Sequence, residues 1–427
     1  MKKFFLIFYF FIYSLNAQFI KEPIFNEVSY VETFGNPDNE AIVFVHGLGQ
    51  EASSIWLQSV EALKDDYYIM IFDLPGFGKS DKSNQLYSPK KYVAFIDTLI
   101  DNFIEKPFHL VGHSMGASIS LKYTSLNEER VKSLTLIDAA AILHKVAYSK
   151  FLVKHKMEET VKNDTLSDFV SAIPQVLDGL MPVEIDTVLN SKLSRKVLMR
   201  SNPNTIAAMA LAEEDFSTIP QKIKVPTLII WGKEDKTAPL RTGYVLNKLI
   251  ENSKLELLDD SAHTPMVDNF ELYLELLKKH LKTKEYKKEK LDIKSSSNEL
   301  SLVEAQGRVL RGYFKKLEIY DSKDIDIKDA IIEELVIYNS KVDILNSQLN
   351  LVKNSFIISS EVKITTTNIK SEYPIEINDS SVDFTAVDIE SKTKPFYTNS
   401  DKKQEVVFSL SNVNYQSKHG IFKVRDF

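Results

Sequence analysis

The chain has 427 residues, contains no cysteine and carries a formal net charge of −6 at pH 7. The lack of cysteine excludes disulfides, thiolate metal sites and acylation of a lipoprotein cysteine, and the acidic balance gives no basic surface signal for nucleic acid. An apolar content of 44% with 26% charged residues is typical of a globular protein. The length allows one large hydrophobic core and a second, smaller one.

The first residues have the pattern of a secretory signal peptide. Two lysines follow Met1, an unbroken apolar run extends from Phe4 to Tyr13, and Ala17 offers a small residue for cleavage. The run is shorter than the roughly 20 apolar residues that span a bilayer. We therefore predict that residues 1–17 are a signal peptide and that the protein is exported to the periplasm, the cell surface or the medium.

Two apolar runs early in the chain predict buried strands. Residues 41–45 are followed by His46-Gly47-Leu48-Gly49-Gln50, and residues 69–72 lead into Asp73-Leu74-Pro75-Gly76-Phe77-Gly78-Lys79-Ser80. The Pro-Gly turn in the second segment favours a structural loop over a catalytic one.

The most informative motif is Gly112-His113-Ser114-Met115-Gly116. It stands between a predicted strand at residues 108–111 and a predicted helix at residues 117–123. A G-x-S-x-G sequence between a strand and a helix is the nucleophile elbow of a serine hydrolase. Gly112 and Gly116 remove side chains that would collide in so sharp a turn, and Ser114 is the predicted nucleophile.

A serine nucleophile needs a base, and the base needs an orienting acid. Asp235 follows the apolar strand predicted over residues 226–232, and His263 follows the strand predicted over residues 254–258. Catalytic residues of open α/β sheets gather after such strands. Asp138 also follows a predicted strand and is the alternative acid, although we favour Asp235.

Residues 38–280 resemble the α/β-hydrolase superfamily, and most closely its capped esterases, lipases and carbon–carbon bond hydrolases. Related dehalogenases and epoxide hydrolases have aspartate where this chain has Ser114, which disfavours those chemistries. The resemblance implies that the backbone amides of Leu48 and Met115 form the oxyanion hole. It calls for no metal or organic cofactor. The matching residues are His46-Gly47, Asp73 to Ser80, Gly112 to Gly116, Asp235 and His263.

A cap insertion is predicted over residues 141–222, which lack strand-like alternation and include stretches with helical spacing. In capped hydrolases a helical lid at this point covers the active site and shapes the acyl pocket. Most of its apolar residues are expected to pack helices together, and some to line the pocket. The residues considered are Met157, Leu177, Leu180, Met181, Met199 and Met209.

A charged, serine-containing stretch at residues 281–299 predicts a linker, and residues 300–427 predict a β-rich repeat domain. Residues 337–344 align with 357–364 and with 377–384 at a spacing of 20, and an earlier copy begins at Ile319. Short strands with Asn, Asp and Ser at fixed intervals favour a parallel β-solenoid. A β-sandwich is the alternative.

The sequence thus predicts an α/β-hydrolase fold with a helical cap, followed by a separate all-β domain. The predicted function is hydrolysis of a small-molecule carboxylic ester or other acyl substrate through an acyl-enzyme. The same triad also serves carbon–carbon and amide bond hydrolases. A catalytically inactive binding or scaffold protein is the remaining alternative, and the repeat domain is expected to contact a cell surface or polymer.

Overall fold

The computed structural model describes residues 17–140, 142–143, 185–288, 291, 293–398, 404–417 and 420–425. Apart from Ala17, the predicted signal peptide lies outside the described residues, as does most of the first half of the predicted cap. Met157, Leu177, Leu180 and Met181 fall in that undescribed part. Among the described helices, none is both long and apolar enough to cross a membrane.

An eight-stranded sheet forms the first half of the molecule, in the order β1-β2-β4-β3-β5-β6-β7-β8. The strands from β4 to β8 in that order run parallel, while β1 and β2 pair antiparallel at one edge. Their bounds are β1 Ala17–Lys21, β2 Val28–Phe34, β3 Ala41–Val45, β4 Tyr68–Phe72, β5 Phe108–His113, β6 Val131–Ile137, β7 Thr227–Gly232 and β8 Ser253–Leu258.

Helices cover both faces of this sheet. The described α-helices are α1 Leu57–Leu63, α2 Pro89–Phe103, α3 Met115–Leu126, α4 Ile185–Asn190, α5 Lys192–Leu198, α6 Pro203–Glu213, α7 Leu240–Leu249, α8 Pro265–Asp268 and α9 Phe270–His280. Short 3₁₀ helices occupy Ala52–Trp56, Glu128–Arg130 and Pro220–Lys222.

Strand β3 shows why both faces must be covered. Because successive side chains of a strand point to opposite faces, Val43 and Val45 join the apolar cluster beneath α2, α3 and α7. Ile42 and Phe44 join the cluster beneath α1 and α9. A parallel strand that is buried on both faces has no polar alternation, which is why the sequence of β3 is wholly apolar.

The described part of the cap contains α4, α5, α6 and the 3₁₀ helix Pro220–Lys222. Met199 and Met209 are buried in the large apolar cluster of the hydrolase half. Packing was expected for most of the apolar cap residues, and these two pack.

The second half of the chain winds into parallel coils with a core of their own. Each coil has three sides. Strands on one side form a six-stranded sheet, and strands on the other two sides together form an 11-stranded sheet. The strands are β9 Glu299–Val303, β10 Gln306–Phe314, β11 Lys316–Tyr320, β12 Lys323–Ile332, β13 Leu335–Tyr338, β14 Lys341–Leu345, β15 Gln348–Leu351, β16 Ser355–Ile358, β17 Glu361–Thr365, β18 Asn368–Ser371, β19 Ile375–Asn378, β20 Ser381–Thr385, β21 Asp388–Ser391, β22 Phe396–Tyr397, β23 Glu405–Ser409, β24 Asn412–Ser417 and β25 Gly420–Arg425.

Successive copies of the sequence repeat form successive coils, so equivalent residues of neighbouring copies lie side by side. Ile337 lies beside Ile357, which lies beside Ile377, and Ile319 lies beside Ile337. Within the coils, the described strand pairs are parallel except for β24 with β25. Parallel stacking is consistent with a β-solenoid-like domain, whereas the sandwich alternative would require two facing antiparallel sheets.

Buried serines stack at one corner of the coils. Asn339 and Ser359 turn the chain with φ of 45° and 51°, a left-handed conformation that Asn adopts more readily than most residues. The next residue in each coil is a buried serine. Ser360 Oγ accepts the Ser340 N–H at 3.0 Å and donates to the Ile358 carbonyl at 2.7 Å. The serine ladder therefore satisfies backbone groups that the corner would otherwise leave unpaired.

The coils pack against α7 of the hydrolase half, a contact that sequence analysis did not foresee. Arg241 of α7 donates two hydrogen bonds to Asp383 of β20, at 2.7 and 3.1 Å. Lys248 bonds the Ala386 carbonyl at 2.8 Å and pairs with Asp388 at 2.9 Å. Burial would raise the pKa of Asp383, but the charge and hydrogen bonds of Arg241 outweigh burial and hold that pKa below its ordinary value.

The predicted linker also makes ordered contacts. The ammonium group of Lys288 donates to the Ser253 carbonyl at 2.9 Å and to Ser253 Oγ at 2.7 Å. Burial lowers the pKa of Lys288 to about 8. This lysine is therefore bound to the hydrolase half, whereas sequence analysis predicted only a charged linker at this point.

Replacing Ser360 with alanine should destabilise the coils by about 1–3 kcal/mol, because the buried Ser340 N–H loses its acceptor. Denaturant unfolding of the full chain measures this free energy. Ser381→Ala on an outward position of β20 is the control and should change the free energy of unfolding by less than about 0.5 kcal/mol. Equal effects of the two variants would contradict the role given to the ladder.

Arg241→Ala should lower the free energy of unfolding by about 2 kcal/mol, because it leaves the Asp383 carboxylate without its cation. Arg241 and Asp383 are 14% and 19% exposed, whereas the control pair Arg311 and Asp329 is 59% and 37% exposed. Arg311→Ala should therefore cost less than about 1 kcal/mol. Since Asp383 has a lowered pKa, the Arg241 contribution should be full at neutral pH and disappear as pH falls below about 4.

Candidate active site

The turn between β5 and α3 sets Ser114 at the carboxyl edge of the sheet. Ser114 has φ of 54° and ψ of −118°, a conformation that few non-glycine residues adopt. A Cβ on Gly116 would lie 2.3 Å from the Val45 carbonyl oxygen, and one on Gly112 would lie 2.5 Å from the Gly116 carbonyl oxygen. Glycine at both positions is therefore required by close backbone approach, as the sequence motif predicted.

The three residues predicted as a triad meet in a continuous hydrogen-bonded chain. His263 Nε2 lies 2.9 Å from Ser114 Oγ, and His263 Nδ1 lies 2.8 Å from Asp235 Oδ2. Because the carboxylate can only accept, Nδ1 carries the proton and Nε2 is left to accept from the serine hydroxyl. Residues 149 positions apart in the chain thus share one site.

Asp235 is held rigidly by its own turn. Its side chain is 0% exposed, and its Oδ1 accepts the N–H groups of Thr237 at 2.6 Å and Ala238 at 2.9 Å. These two bonds fix the carboxyl group in a position in which Oδ2 faces His263 Nδ1.

A second histidine supports the first from within the elbow motif. His113 Nε2 donates to the His263 carbonyl at 2.7 Å, which fixes the backbone of the predicted base. Burial and the nearby His263 lower the pKa of His113 to about 3, so its ring is neutral. Sequence analysis assigned no role to His113. Its place next to Ser114 was the available signal, but the contact with residue 263 depends on the tertiary fold.

The loop after β3 comes close to the nucleophile, where the oxyanion hole was predicted. A Cβ on Gly47 would lie 2.8 Å from the Ser114 Cβ. Met115 is the first residue of α3, so its N–H belongs to the donors that have no partner within the helix. Leu48 is half-buried against the main apolar cluster. The positions of Leu48 and Met115 are compatible with their predicted role, which stays a prediction.

Two side chains hold this loop in place. His46 donates from Nδ1 to the Gly47 carbonyl at 2.6 Å and accepts the Leu74 N–H at Nε2 at 2.9 Å. Asn204 of α6 accepts the Gly49 N–H at 3.2 Å, which ties the cap to the loop. Sequence analysis did not single out Asn204, because nothing local distinguishes it from an ordinary helix residue.

The segment from Asp73 to Ser80 has the structural role expected of it. Asp73 Oδ1 accepts the Ser53 N–H at 2.9 Å, and its Oδ2 accepts the Lys79 N–H at 2.7 Å. Ser80 Oγ donates to the Asp73 carbonyl at 2.6 Å. These bonds fasten the loop after β4 to the segment that follows the predicted oxyanion loop.

The alternative acid Asp138 lies behind Asp235 rather than beside the imidazole Nδ1. Asp138 Oδ1 accepts the Gly232 N–H at 3.0 Å. Burial and the Asp235 charge raise the pKa of Asp138 well above its ordinary value. The geometry therefore gives the imidazole contact to Asp235, in agreement with our preference between the two acids.

His113, Asp138 and His263 each have a ligand-type atom within 4.8 Å of the others. Both ring nitrogens of His263 are engaged by Ser114 and Asp235. His113 also uses Nε2 toward the His263 carbonyl. We therefore interpret this group as part of the hydrogen-bonded network around Ser114.

Comparison with known proteins agrees with this geometry. The sequence model of a family described as alpha/beta hydrolase fold matches residues 40–270, more than half of the chain. Lipase 1 of Psychrobacter immobilis is 26% identical over 258 residues, covering 57% of this chain and 77% of that protein. Human monoacylglycerol lipase ABHD6 is 27% identical over 264 residues, covering 55% and 73% of the two chains.

A relative named for a different substrate also matches. The 2-hydroxy-6-oxo-6-(2'-aminophenyl)hexa-2,4-dienoic acid hydrolase of Metapseudomonas resinovorans is 24% identical over 265 residues, covering 57% of this chain and 88% of that protein. The same hydrolase half thus resembles lipases and a hydrolase named for a dienoic acid.

Replacing His113 with glutamine should weaken the pH dependence of stability between about pH 6.5 and pH 4. Below the ordinary histidine pKa the unfolded chain binds a proton at residue 113 that the folded chain does not, so the wild type loses about 1.4 kcal/mol per pH unit from this group. Glutamine keeps a donor for the His263 carbonyl but does not titrate. Denaturant unfolding at several pH values measures the difference, and Ser381→Ala is the non-titrating control. Parallel curves for wild type and His113→Gln would contradict the assignment.

Proposed function

This chain belongs to the α/β-hydrolase family, and on that premise we propose that it is a serine hydrolase that cleaves carboxylic esters through an acyl-enzyme. The observation that carries the proposal is the unbroken chain Asp235–His263–Ser114, with contacts of 2.8 and 2.9 Å. The resemblance of the hydrolase half to Lipase 1 and to monoacylglycerol lipase ABHD6 supports an ester as the substrate.

In the first step the Ser114 hydroxyl attacks the ester carbonyl while His263 Nε2 takes its proton. The imidazolium that forms is stabilised by the Asp235 carboxylate, which also holds the ring in the productive tautomer. His263 then gives the proton to the departing alcohol. The acyl group remains bound to Ser114 Oγ as an ester.

Negative charge develops on the carbonyl oxygen in this step. The backbone N–H groups of Leu48 and Met115 are the donors proposed for it, and such donors typically contribute about 3 kcal/mol each to the transition state. The hydrogen bonds of His46 and Asn204 fix the position of the loop that contains Leu48, next to the turn at Ser114. Fixed donors need no rearrangement as the charge appears.

Water completes the cycle by the same route in reverse. His263 Nε2 removes a proton from a water molecule, which attacks the acyl carbon. The tetrahedral intermediate then collapses, and His263 returns the proton to Ser114 Oγ. The products are the free carboxylic acid and the regenerated enzyme.

Hydrolysis of a p-nitrophenyl ester series from acetate to palmitate tests the proposal. The wild-type chain should release p-nitrophenolate with a maximum at one acyl length, because the acyl pocket has a fixed size. Ser114→Ala should lower kcat by about 10⁶-fold and Asp235→Ala by about 10⁴-fold, since a serine hydrolase depends more on its nucleophile than on its acid.

Ser118→Ala, in the first turn of the helix that follows Ser114, is the matched control for the loss of a buried hydroxyl, and it should keep a far larger part of the activity than Ser114→Ala. A fluorophosphonate should label wild type and Ser118→Ala but not Ser114→Ala. Failure of the wild type both to hydrolyse any ester and to react with the probe would refute the proposal and favour the binding or scaffold alternative.

A carbon–carbon bond hydrolase is the second candidate, since the Metapseudomonas resinovorans relative is named for a dienoic acid. The same triad serves both reactions, so geometry does not separate them. A vinylogous 1,5-diketone and the ester series, assayed side by side, distinguish the two. Amide hydrolysis is measured with matching p-nitroanilides.

We further propose that the protein is exported and that its solenoid-like half contacts a cell surface or polymer. The support is the sequence of residues 1–17 and the separate core of the coils. Amino-terminal sequencing of protein from the cell envelope and medium should begin at Gln18. Recovery of uncleaved chain from the cytoplasm would overturn the export proposal.

A further inference from the structure

A second carboxyl group lies behind the triad acid and makes no direct contact with the nucleophile. Asp138 directly follows β6, has φ of 43° and is fully buried. Its Oδ1 accepts the Gly232 N–H at 3.0 Å. Its Oδ2 has no hydrogen-bond donor among the described residues. The carboxyl of Asp235 is its neighbour, because a ring nitrogen of His263 lies within 4.8 Å of a carboxyl oxygen of Asp138 and His263 Nδ1 lies 2.8 Å from Asp235 Oδ2.

The contact can be a hydrogen bond in one protonation state only. Two carboxylates accept and do not donate, so one of the pair must hold a proton. Asp235 already accepts from Thr237 and Ala238 at Oδ1 and from His263 at Oδ2. Both oxygens of Asp235 thus already accept from N–H donors, which leaves Asp138 as the partner that donates.

The surroundings of Asp138 favour the same distribution. The acidic groups that act on it are Asp235 and Asp268, and both disfavour a further negative charge. The neighbouring imidazoles are His113 and His263. Burial and His263 keep the His113 ring neutral, with a pKa of about 3, and the His263 ring faces Asp235. Burial and the Asp235 charge raise the pKa of Asp138 well above its ordinary value.

We propose that Asp138 is a positioning residue that stays protonated and donates a hydrogen bond from Oδ2 to the Asp235 carboxylate. The buried pair then carries a single negative charge, which faces His263. Asp138 acts through Asp235 and touches neither the substrate nor the serine. The inference rests on the proposed function for its effect on turnover, but the location of the proton stands independently of turnover.

Two substitutions distinguish the hydrogen-bond donor at residue 138 from a negative charge at that residue. Asp138→Asn keeps an acceptor for the Gly232 N–H and an N–H donor for Asp235, whereas Asp138→Ala keeps neither. Asp138→Asn should retain kcat within about twofold and leave the pH profile of kcat/KM in place. Asp138→Ala should lower kcat by about tenfold with little change in KM, because Asp235 loses a charge-assisted hydrogen bond.

The acid limb of the pH profile of kcat/KM gives a second test, because its midpoint would not shift if Asp138 had a purely structural role. Without the donor, the negative charge of Asp235 is less dispersed and attracts the imidazolium more strongly. The limb in Asp138→Ala should therefore move to higher pH. If Asp138 were instead ionised, Asp138→Asn would remove a negative charge near His263 and move the limb to lower pH, which would overturn the proposal.

Two spectroscopic measurements do not depend on turnover. The infrared difference spectrum between wild type and Asp138→Asn at neutral pH should contain the carbonyl stretch of one protonated carboxylic acid. The downfield proton resonance of His263 Nδ1–H should be preserved in Asp138→Asn and shifted in Asp138→Ala. Absence of the carboxylic acid band refutes the proposal even if the protein hydrolyses esters.

Unchanged kcat, pH profile and His263 resonance in a folded Asp138→Ala variant would also refute it, since Asp138 would then be a packing residue. If Asp138→Ala does not fold, the infrared band and Asp138→Asn decide the question. A protein without Ser114-dependent hydrolysis but with the band and the resonance shift would refute the proposed function and leave the hydrogen-bond assignment in place.

Discussion

The close approach of backbone at the β5–α3 turn is the constraint on which the site depends. The carbonyl of Val45 lies where a Cβ on residue 116 would stand, so α3 can pack beside β3 only with glycine there. That contact brings the loop after β3 against Ser114, where a Cβ on Gly47 would lie 2.8 Å from the Ser114 Cβ. The nucleophile and the loop that carries one of the proposed oxyanion donors are thus held together by one backbone geometry.

Burial of charge imposes the second constraint. The site contains the carboxyl groups of Asp138 and Asp235 and the imidazoles of His113 and His263 within a few ångströms. A low-dielectric interior favours few charges. The structure meets this condition with a neutral His113, whose pKa burial and His263 lower, and with Asp138, whose pKa burial and the Asp235 charge raise well above its ordinary value. In the proposed mechanism, the Asp235 carboxylate stabilises the imidazolium of His263.

The coils follow a different principle, in which neighbouring turns satisfy one another. The corner serines Ser340, Ser360 and Ser380 each accept an N–H from the preceding coil. Inward side chains lie beside their equivalents one coil away, as Ile357 lies beside Ile377. Side chains on the outward face of β20 do not contribute to the core of the coils. One of them, Asp383, accepts hydrogen bonds from Arg241 of α7. A repeat thus provides both a core and a flank that docks on the hydrolase half.

The sequence by itself determined the elements whose signals are local or periodic. The elbow, the strands that precede Asp235 and His263, and the register of the coils could be predicted because glycine placement, apolar runs and a fixed repeat reflect backbone geometry directly. Only the tertiary structure decided that Asp235 rather than Asp138 meets His263, that His113 supports the His263 backbone, and that Arg241 pairs with Asp383. Those contacts join residues far apart in the chain, and no local pattern encodes which of two strand ends lies nearer to an imidazole.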